Sequence, residues 1–369
     1  MAKRPLILGI ESSCDDTACA LVDGDGRVLA SVVSSQLKAH QPYGGVVPEI
    51  ASREHLANWP SVSREVFERA GVDLPDVDVI AATRGPGLVG SLLVGLSLGR
   101  SMAFVLDRPF HGVHHLEGHV YSPYLAVEGA EATDVADRFL ALVVSGGHTS
   151  LLRVDHGSDP RIHSLVETRD DAMGEVFDKV GKRLGLPYPQ GPRVDKLAEQ
   201  VDGPDGGWTP PKAYAFTIPK MTPDTGFFFS YSGLKSEALR QIEALERRGV
   251  VEPGTSMDET GPWPDEALEL LAGFRHAAVG QILHRLERHH RQAPIEHLAV
   301  SGGAAANRLL RRRLQTWADT RGIDLRLVPL TYSGDNAAMI AFAALLAERR
   351  GESGDPRHAV VASRIPFAS

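Results

Sequence analysis

The 369-residue sequence predicts an α/β protein with two lobes, each a mixed β-sheet flanked by helices, and a ligand cleft between the lobes. Apolar runs of strand length alternate with longer segments of helical periodicity, which is typical of this class. A three-strand meander also occurs twice, near residues 6–33 and again near residues 139–166. With 43% apolar residues, the chain is long enough to form more than one hydrophobic core.

The first half of the chain alternates between strands and helices. In order, we predict three strands, a helix, a strand, an apolar helix and a further strand, at residues 6–10, 17–22, 28–33, 48–70, 77–82, 88–106 and 109–113. The apolar helix approaches membrane-spanning length. Because Gly90, Gly95, Gly99 and Arg100 interrupt its apolar run, we expect a buried helix rather than a membrane span.

The second half repeats the meander and then alternates in the same way. Its first strand ends at Ser145-Gly146-Gly147, and glycines that end a buried strand expose backbone N–H groups, which suit phosphates. We expect residues 191–226, which are rich in Pro and Gly, to be irregular. The predicted strands cover residues 139–144, 149–154, 162–166, 295–300 and 325–330, and the helices cover 171–184, 232–248, 265–290, 304–320 and 336–349.

Two meanders built on one plan resemble the actin/hexokinase/Hsp70 superfamily, which has an RNase H-like fold and clasps nucleotide phosphates in its hairpin turns. This is a resemblance of fold, and it does not name a reaction. We expect an N-terminal lobe at residues 1–132 and a C-terminal lobe at residues 136–334. Residues 335–369 are expected to hold the final helix and to cross back to the first lobe.

Composition restricts the class of protein. The net charge of −8 and the pI near 6.0 are not those of a strongly basic nucleic-acid-binding protein, so a local basic patch or a partner would have to attract RNA. Cys14 and Cys19 are too few for a disulfide scaffold and suit a reducing compartment. The N-terminus has no signal-peptide pattern, so we predict a cytoplasmic protein with no membrane association.

Four histidines within nine residues, from His111 to His119, form the sharpest local signal. His115 and His119 are four residues apart, which places both imidazoles on one helical face, as two metal ligands would be. His111 and His115 share this spacing, so periodicity alone does not choose the pair. Two imidazoles, a carboxylate and open positions would suit a divalent metal ion. Asp335 is the best distant carboxylate, although its place before a helix also suits an N-cap.

Other polar residues lie where strands and helices meet. Asn307 follows a glycine-rich turn and could contact a base or a ribose. Asp178 lies on an acidic helical face, and a turn that includes Gly191 carries a further carboxylate, Asp195. At each of these positions an ordinary turn or surface role competes with ligand binding.

Taken together, these motifs closely resemble the tRNA N6-adenosine threonylcarbamoyltransferase family in its bacterial TsaD type, formerly described as O-sialoglycoprotein endopeptidases. The departures are small: Gln190 stands where many members have a glycine, and three alanines replace the commoner Val-Ser-Ala before Asn307. The matching segments occur in family order over nearly the whole chain, at residues 8–17, 44–49, 85–90, 114–119, 144–149, 174–179, 231–235, 301–308 and 335–336.

The resemblance implies transfer of a threonylcarbamoyl group from threonylcarbamoyl-AMP to N6 of adenosine 37 in tRNAs that read ANN codons, with release of AMP. It implies one divalent ion, Fe²⁺ or Zn²⁺, bound by His115, His119 and Asp335. The implied partners are tRNA, a paralogous subunit of the same fold and a small ATPase. No general base is implied, and on turn placement alone Asp15 and Asp16 are weak candidates. The implied adenylate site is lined by Val143, Val144, Ser145, Gly146, Gly147, Asp178, Gly191, Asp195 and Asn307.

Three alternatives stay open at this point. A zinc peptidase is suggested by His-Leu-Glu-Gly-His, but in zincins the glutamate adjoins the first histidine, whereas Glu117 lies mid-way between the two. A small-molecule kinase of the same superfamily is suggested by the twin meanders, but two metal-binding histidines are not expected there. A non-catalytic paralogue would have no need of His115, His119 and Asp335 together.

Overall fold

The structure is a computed structural model that describes residues 4–157, 160–203, 207–219, 227–252, 261–352, 354 and 359–367. The chain forms two compact units. Unit 1 comprises Met1–Asp137, Asp155–Arg161 and Arg326–Ser369, and unit 2 comprises Arg138–Val154 and Ile162–Leu325. Part of the segment expected to be irregular, residues 204–206 and 220–226, lies outside the described residues.

Unit 1 is built on a mixed sheet with helices packed against it. Its strands are β1 (Ile7–Glu11), β2 (Asp16–Val22), β3 (Val28–Ser35), β4 (Val79–Gly85) and β5 (Phe110–His114), and its helices include α1 (Leu37–His40), α2 (Pro48–Ala70), α3 (Val89–Leu106) and α4 (His115–Tyr121). The strand order is β3-β2-β1-β4-β5. β1 and β2 pair antiparallel, as β2 and β3 do, whereas β4 runs parallel to both β1 and β5.

Close packing of α3 on this sheet depends on glycine. A Cβ atom at Gly99 would lie 2.8 Å from the Phe110 ring, and one at Gly95 would collide with the Ser12 hydroxyl. The expectation of a buried helix therefore holds for one face of α3. By length and composition, α3 is the one helix among the described residues that could cross a membrane. The opposite face exposes four apolar side chains, Val89, Leu93, Phe104 and Val105.

Unit 2 repeats this plan. Its strands are β6 (Arg138–Val144), β7 (Thr149–Asp155), β8 (Arg161–Glu167), β9 (His297–Ser301) and β10 (Asp324–Leu327), and its helices are α5 (Met173–Arg183), α6 (Gln190–Asp202), α7 (Ser232–Arg247), α8 (Asp265–Gln292) and α9 (Arg308–Asp319). The strand order is β10-β9-β6-β7-β8. This is the order of unit 1 when β6 to β10 are matched to β1 to β5 in turn and the sheet is read from its opposite edge. As β1 pairs parallel with β4, so β6 pairs parallel with β9. The predicted duplication of the meander and the predicted α/β fold, with a mixed sheet flanked by helices in each lobe, are confirmed.

The expectation of an irregular chain from residue 191 is wrong at its start, where α6 forms. Apolar Val194, Leu197 and Ala198 are buried at helical spacing along α6. Gly191 and Pro192 misled the prediction, because both lie in the first helical turn, where proline is tolerated. The helix expected over residues 304–320 is also divided, into a 3₁₀ turn (Gly303–Ala306) and α9.

The last helix, α10 (Ala337–Arg349), packs on β1 of unit 1. Residues 337–347 are all buried, so α10 is apolar around its whole circumference. Gly9 in β1 permits the contact, because a Cβ atom there would collide with the Ala337 carbonyl oxygen. This packing places the start of α10, and Asp335 just before it, beside the ends of the sheet strands of unit 1.

Candidate metal centre and ligand pocket

The end of β5 and the start of α4 decide which histidines can act together. His114 caps α4, accepting a hydrogen bond from the Leu116 backbone N–H (3.2 Å) through Nδ1. His115 and His119 follow on α4, both buried. His111 lies back on β5, where its Nε2 pairs with the Glu348 carboxylate. The ambiguity left by the repeated spacing is therefore resolved by the strand-to-helix boundary: His115 and His119 share a helical face, and His111 does not belong to it.

His115, His119 and Asp335 form a cluster that could hold a metal ion. Their ligand atoms all lie within 4.8 Å of one another. Asp335 Oδ1 is 3.1 Å from His119 Nε2 and 3.5 Å from His115 Nε2. The N-cap role that competed for Asp335 belongs instead to Asn336, whose Oδ1 accepts from the Met339 N–H at 3.0 Å. Asp335 is thus left facing the histidines.

A buried carboxylate, Glu11, supports His115 from behind. Its Oε2 lies 3.1 Å from His115 Nδ1 and accepts from the Thr83 hydroxyl at 2.6 Å, while its Oε1 accepts from the Ser13 N–H at 2.5 Å. Burial opposes the charge on Glu11, but His115 outweighs it and holds the pKa of this carboxyl below its usual value. A carboxylate behind a metal-binding imidazole fixes its tautomer and raises its basicity.

The donor set fits a divalent cation. When His115 donates its Nδ1–H to Glu11, the lone pair on its Nε2 faces the lone pairs of Asp335 Oδ1 across 3.5 Å. Such an arrangement is repulsive unless positive charge lies between the atoms. Burial lowers the pKa of His115, yet Asp335 and Glu11 together raise it to about 9, because both carboxylates favour positive charge at this ring. Nitrogen and carboxylate donors are those that Zn²⁺ and Fe²⁺ accept.

The turn between β1 and β2 brings Asp15 and Asp16 to this side of unit 1. Asp16 begins β2 and is half-buried. Burial, followed by the charges of Asp335 and Asp15, raises the pKa of Asp16 to about 7. Its Oδ1 is buried with no hydrogen-bond partner among the described residues. Burial and the neighbouring carboxylates therefore disfavour the charged form of Asp16.

Unit 2 contains a separate pocket of about 660 Å³, within the range of small-molecule sites. Five of the residues expected at an adenylate site line it: Gly146, Asp178, Gly191, Asp195 and Asn307. The other four expected residues are not part of its lining. Val143 and Val144 are buried in β6, and Ser145 and Gly147 belong to the turn that follows. The remaining lining residues are Met173, Gly174, Phe177, Pro189, Pro192, Lys196, Glu199, Gly303, Ala304, Ala306 and Arg308.

Hydrogen bonds hold the polar side of this pocket in place. Asp178 Oδ1 accepts from the Gly191 backbone N–H at 2.7 Å, which ties α5 to the start of α6. Asn307 caps α9 through its Oδ1 and donates from Nδ2 to Asp195 Oδ1. Buried Arg275 donates to the same Oδ1 at 2.8 Å. The sequence singled out Asn307 as a ligand contact, but its cap and its bond to Asp195 give it a structural role as well.

Sequence reasoning missed Glu11 and Arg275. The first predicted strand ended at residue 10, but Glu11 is the last residue of a fully buried strand. A carboxylate at the end of an apolar strand in a mixed sheet is the signal that could have indicated its role. Arg275 lies in the middle of α8 with no local motif, so no feature of the sequence pointed to it.

Residues 27–342 match the family model of TsaD, tRNA N6-adenosine threonylcarbamoyltransferase. The chain belongs to this family.

Relatives in the family are similar over nearly their full length. A tRNA N6-adenosine threonylcarbamoyltransferase of Geobacter sulfurreducens is 44% identical over 349 residues, covering 95% of this chain and 94% of the relative. That of Bacillus anthracis is 39% identical over 358 residues, with the same two coverages. The family resemblance drawn from the motifs is thus confirmed, and the chain is a transferase.

Solved structures support the fold alone. HypF of T. kodakarensis aligns with a TM-score of 0.58 at 14% identity, over 94% of this chain and 48% of the HypF chain. Full-length HypF in the phosphate- and nucleotide-bound form aligns with a TM-score of 0.56 at 13% identity, over 95% of this chain and 56% of that one.

Within the TsaD family architecture, Glu117 is not arranged as the glutamate of a zinc peptidase. Its pKa is raised to about 7, chiefly by burial, and the charges that act on it are those of Arg350, Glu352 and Arg84. None of these belongs to the His115–His119–Asp335 cluster. The family membership and this placement together disfavour the peptidase alternative.

Proposed function

We propose that this chain transfers the threonylcarbamoyl group from threonylcarbamoyl-AMP to N6 of adenosine 37 in tRNAs that read ANN codons, releasing AMP. Family membership over residues 27–342 carries the proposal. In the reaction, a bond forms between N6 and the carbamoyl carbon while the bond from that carbon to the phosphate oxygen breaks. AMP takes the electrons of the broken bond, and the proton from N6 passes to a base.

Unit 1 supplies the metal-binding part of the proposal. His115, His119 and Asp335 would bind one divalent ion, Fe²⁺ or Zn²⁺, and Glu11 would keep the His115 proton on Nδ1. Such an ion offsets negative charge on phosphate or carbamoyl oxygens when it is bound. Adenine N6 is a poor nucleophile, so positioning must supply much of the rate. Asp16, whose pKa lies near 7, is the carboxylate we assign to accept the proton from N6.

Unit 2 supplies the donor pocket. The exposed glycine Gly146, which lines the pocket, offers a backbone N–H for phosphate, and Asp195 offers a carboxylate oxygen for ribose hydroxyls. Arg275 and Asn307 both donate to Asp195 Oδ1, which orients that carboxylate. The pocket volume of about 660 Å³ is adequate for an adenylate.

The proposal includes partners beyond tRNA: a paralogous subunit of the same fold and a small ATPase. The exposed apolar face of α3 supports binding to a protein partner, because Phe104 and Val105 are 77% and 80% exposed. A partner would also add basic surface to a chain whose net charge is −8. We place the reaction in the cytoplasm, where free Cys14 and Cys19 stay reduced.

A complementation experiment tests the proposal. The protein is depleted in its host and replaced by wild type, His119→Ala or His111→Ala at matched levels, and threonylcarbamoyladenosine in digested tRNA is measured by mass spectrometry. We expect rescue by wild type and by the control His111→Ala, which lies outside the cluster, and no rescue by His119→Ala. Unchanged nucleoside levels on depletion, in a host with no second transferase, would refute the proposed reaction.

A further inference from the structure

A chain of buried polar side chains connects the start of α2 to the turn between β1 and β2. It begins at the Val47 backbone N–H, which donates to His40 Nδ1 at 3.3 Å. His40 Nε2 lies 3.2 Å from Gln36 Oε1. Gln36 Nε2 donates to the Thr17 hydroxyl at 3.4 Å. His40, Gln36 and Thr17 are each less than 4% exposed, so these groups cannot be satisfied by bulk water.

The same chain continues to the turn. The Thr17 hydroxyl lies 2.7 Å from His55 Nδ1, and His55 Nε2 lies 3.1 Å from the carbonyl oxygen of Cys14. His55 is fully buried. We call these five hydrogen bonds the relay; its side chains are those of His40, Gln36, Thr17 and His55.

The direction of every bond in the relay is determined by its two ends. A carbonyl oxygen only accepts, so His55 must donate from Nε2 to Cys14. The Thr17 hydroxyl accepts from Gln36 Nε2, and its own buried proton finds an acceptor only when His55 Nδ1 is unprotonated. At the other end an N–H only donates, so His40 Nδ1 accepts and its Nε2 donates to Gln36 Oε1. The Gln36 amide cannot be reversed, because its Nε2 also donates to the Ala51 carbonyl at 3.3 Å.

Both histidines of the relay are therefore neutral and carry their proton on Nε2. Burial lowers the pKa of His55, which agrees with a neutral ring. If either ring adopted the other tautomer, a lone pair would face the lone pair of an acceptor, or a donor would face a donor. The relay thus has one consistent set of protons, which is a condition for a rigid buried network.

The relay ends at the turn between β1 and β2. Three consecutive carbonyl groups of this turn accept hydrogen bonds from three separate parts of unit 1. The Ser13 carbonyl accepts from the Leu88 N–H at 2.8 Å, and the Asp15 carbonyl accepts from the Gln36 N–H at 3.0 Å. His55 holds the carbonyl between them, that of Cys14.

Two functional groups depend on the geometry of this turn. The Ser13 hydroxyl lies 3.3 Å from His115 Nδ1, and the Ser13 N–H donates to Glu11. Asp16, two residues after Cys14, opens β2. A shift of the Cys14 carbonyl would consequently displace the groups on both sides of it.

We propose that Thr17 and His55 are positioning residues for the transferase reaction: the relay fixes the Cys14 carbonyl, and through it the placement of Ser13 beside His115 and of Asp16. This inference rests on the proposed function for its effect on rate. The proton arrangement of the relay does not depend on the proposed function and can be measured independently.

The proton arrangement is tested on the wild-type protein with ¹⁵N-labelled histidine. Two-bond ¹H–¹⁵N spectra at neutral pH, assigned with His40→Asn and His55→Asn, distinguish the two tautomers from the charged ring. We expect protonated Nε2 and unprotonated Nδ1 at both positions. A proton on Nδ1, or a charged ring, at either position would overturn the relay, whether or not the protein is active.

The effect on the reaction is tested with Thr17→Val, which keeps the shape of the side chain and removes the hydroxyl. Thr17→Ser keeps the hydroxyl, and Ser91→Ala removes a buried hydroxyl that has no hydrogen-bond partner among the described residues. Assays use the complete threonylcarbamoylation complex with tRNA and threonylcarbamoyl-AMP. We expect Thr17→Val to lower kcat about tenfold to a hundredfold, as small misplacements at reacting groups do.

The split between kinetic constants separates positioning from general damage. In Thr17→Val the KM for threonylcarbamoyl-AMP should stay within about twofold, because the donor pocket in unit 2 is not altered. Thr17→Ser should restore kcat and the wild-type His55 spectrum, and Ser91→Ala should retain both. A Thr17→Val enzyme with altered His55 signals but wild-type kcat would refute the positioning role. An inactive wild-type complex would instead refute the proposed function.

Discussion

Replacing Glu11 with Gln should weaken metal binding without removing a metal ligand. The Glu11 carboxylate is fully buried and accepts three hydrogen bonds, from His115, Thr83 and the Ser13 N–H. An amide of the same shape has one acceptor oxygen, so its NH₂ group must face at least one of these donors. The lost charge-assisted bond to His115 is worth about 1.5–3 kcal/mol. That range corresponds to about a tenfold to hundredfold rise in the dissociation constant, as found for carboxylates behind metal ligands.

Competition with a chelator of known affinity measures this change. The apparent dissociation constants for Zn²⁺ and Fe²⁺ are determined at one pH for wild type, Glu11→Gln and the control Glu49→Gln, whose carboxylate is exposed at the start of α2. The control should match wild type. If Glu11→Gln also bound metal within twofold of wild type, while His119→Ala lost binding, the argument that Glu11 sets the His115 tautomer would be wrong.

Two further outcomes depend on carboxylates with displaced pKa values. Asp202→Asn should lower the free energy of unfolding by about 3 kcal/mol at pH 7, because buried Arg275 and His276 lose their shared partner. Burial would raise the pKa of Asp202, but the bonds from His276 and Arg275 hold it below its usual value. Its contribution is therefore present above about pH 4 and lost below, so denaturant titrations of variant and wild type should converge only in that acid range. For Asp16, burial and the charge of Asp15 raise the pKa, so kcat should rise with pH through a value above that of an ordinary aspartate; Asp16→Asn should abolish this rise, and a rise that persisted would assign the proton to another group.

The sequence alone identified the histidine run and Asp335 as candidate metal ligands, but it left a different question open for each. Periodicity found the histidine run but could not separate His111 from His119, because both are four residues from His115. The strand-to-helix boundary at His114 decides between them, and that boundary depends on pairing between β4 and β5, which local periodicity does not contain. For Asp335, the sequence could not decide whether this residue caps α10 or binds a metal ion. The structure shows that the next residue, Asn336, is the N-cap, so Asp335 is left to lie beside the two imidazoles.

The missed helix α6 shows a different limit. Pro and Gly near residue 191 are strong breakers in the interior of a helix, but their effect depends on position. At the start of a helix the same residues are acceptable, because the first N–H groups have no partner within the helix. Deciding between the two cases required knowing that Gly191 and Pro192 lie in the first turn, where Gly191 donates to Asp178 across to α5. That contact joins residues thirteen apart and is tertiary information.

The duplicated topology explains why both candidate sites lie at equivalent turns. In unit 1 the β1–β2 turn is approached so closely by the β4–α3 connection that a Cβ at Gly87 would lie 2.5 Å from the Ser13 carbonyl oxygen. In unit 2 the β9–α9 connection approaches the end of β6 in the same way, since a Cβ at Gly302 would collide with the Val144 carbonyl. A glycine between adjacent strand ends leaves a concave edge, and sheets of this kind bind ligands at such an edge.

The two turns differ in what they present at that edge. Between β1 and β2 the turn is acidic, and its Ser13 lies against His115, so that edge favours a cation. Between β6 and β7 the turn is Ser145-Gly146-Gly147, and Cβ atoms at either glycine would meet nothing within 4 Å. Exposed backbone N–H groups without side chains favour an anion. One topology can therefore favour a cation at one edge and an anion at the other, because the side chains of the two turns differ.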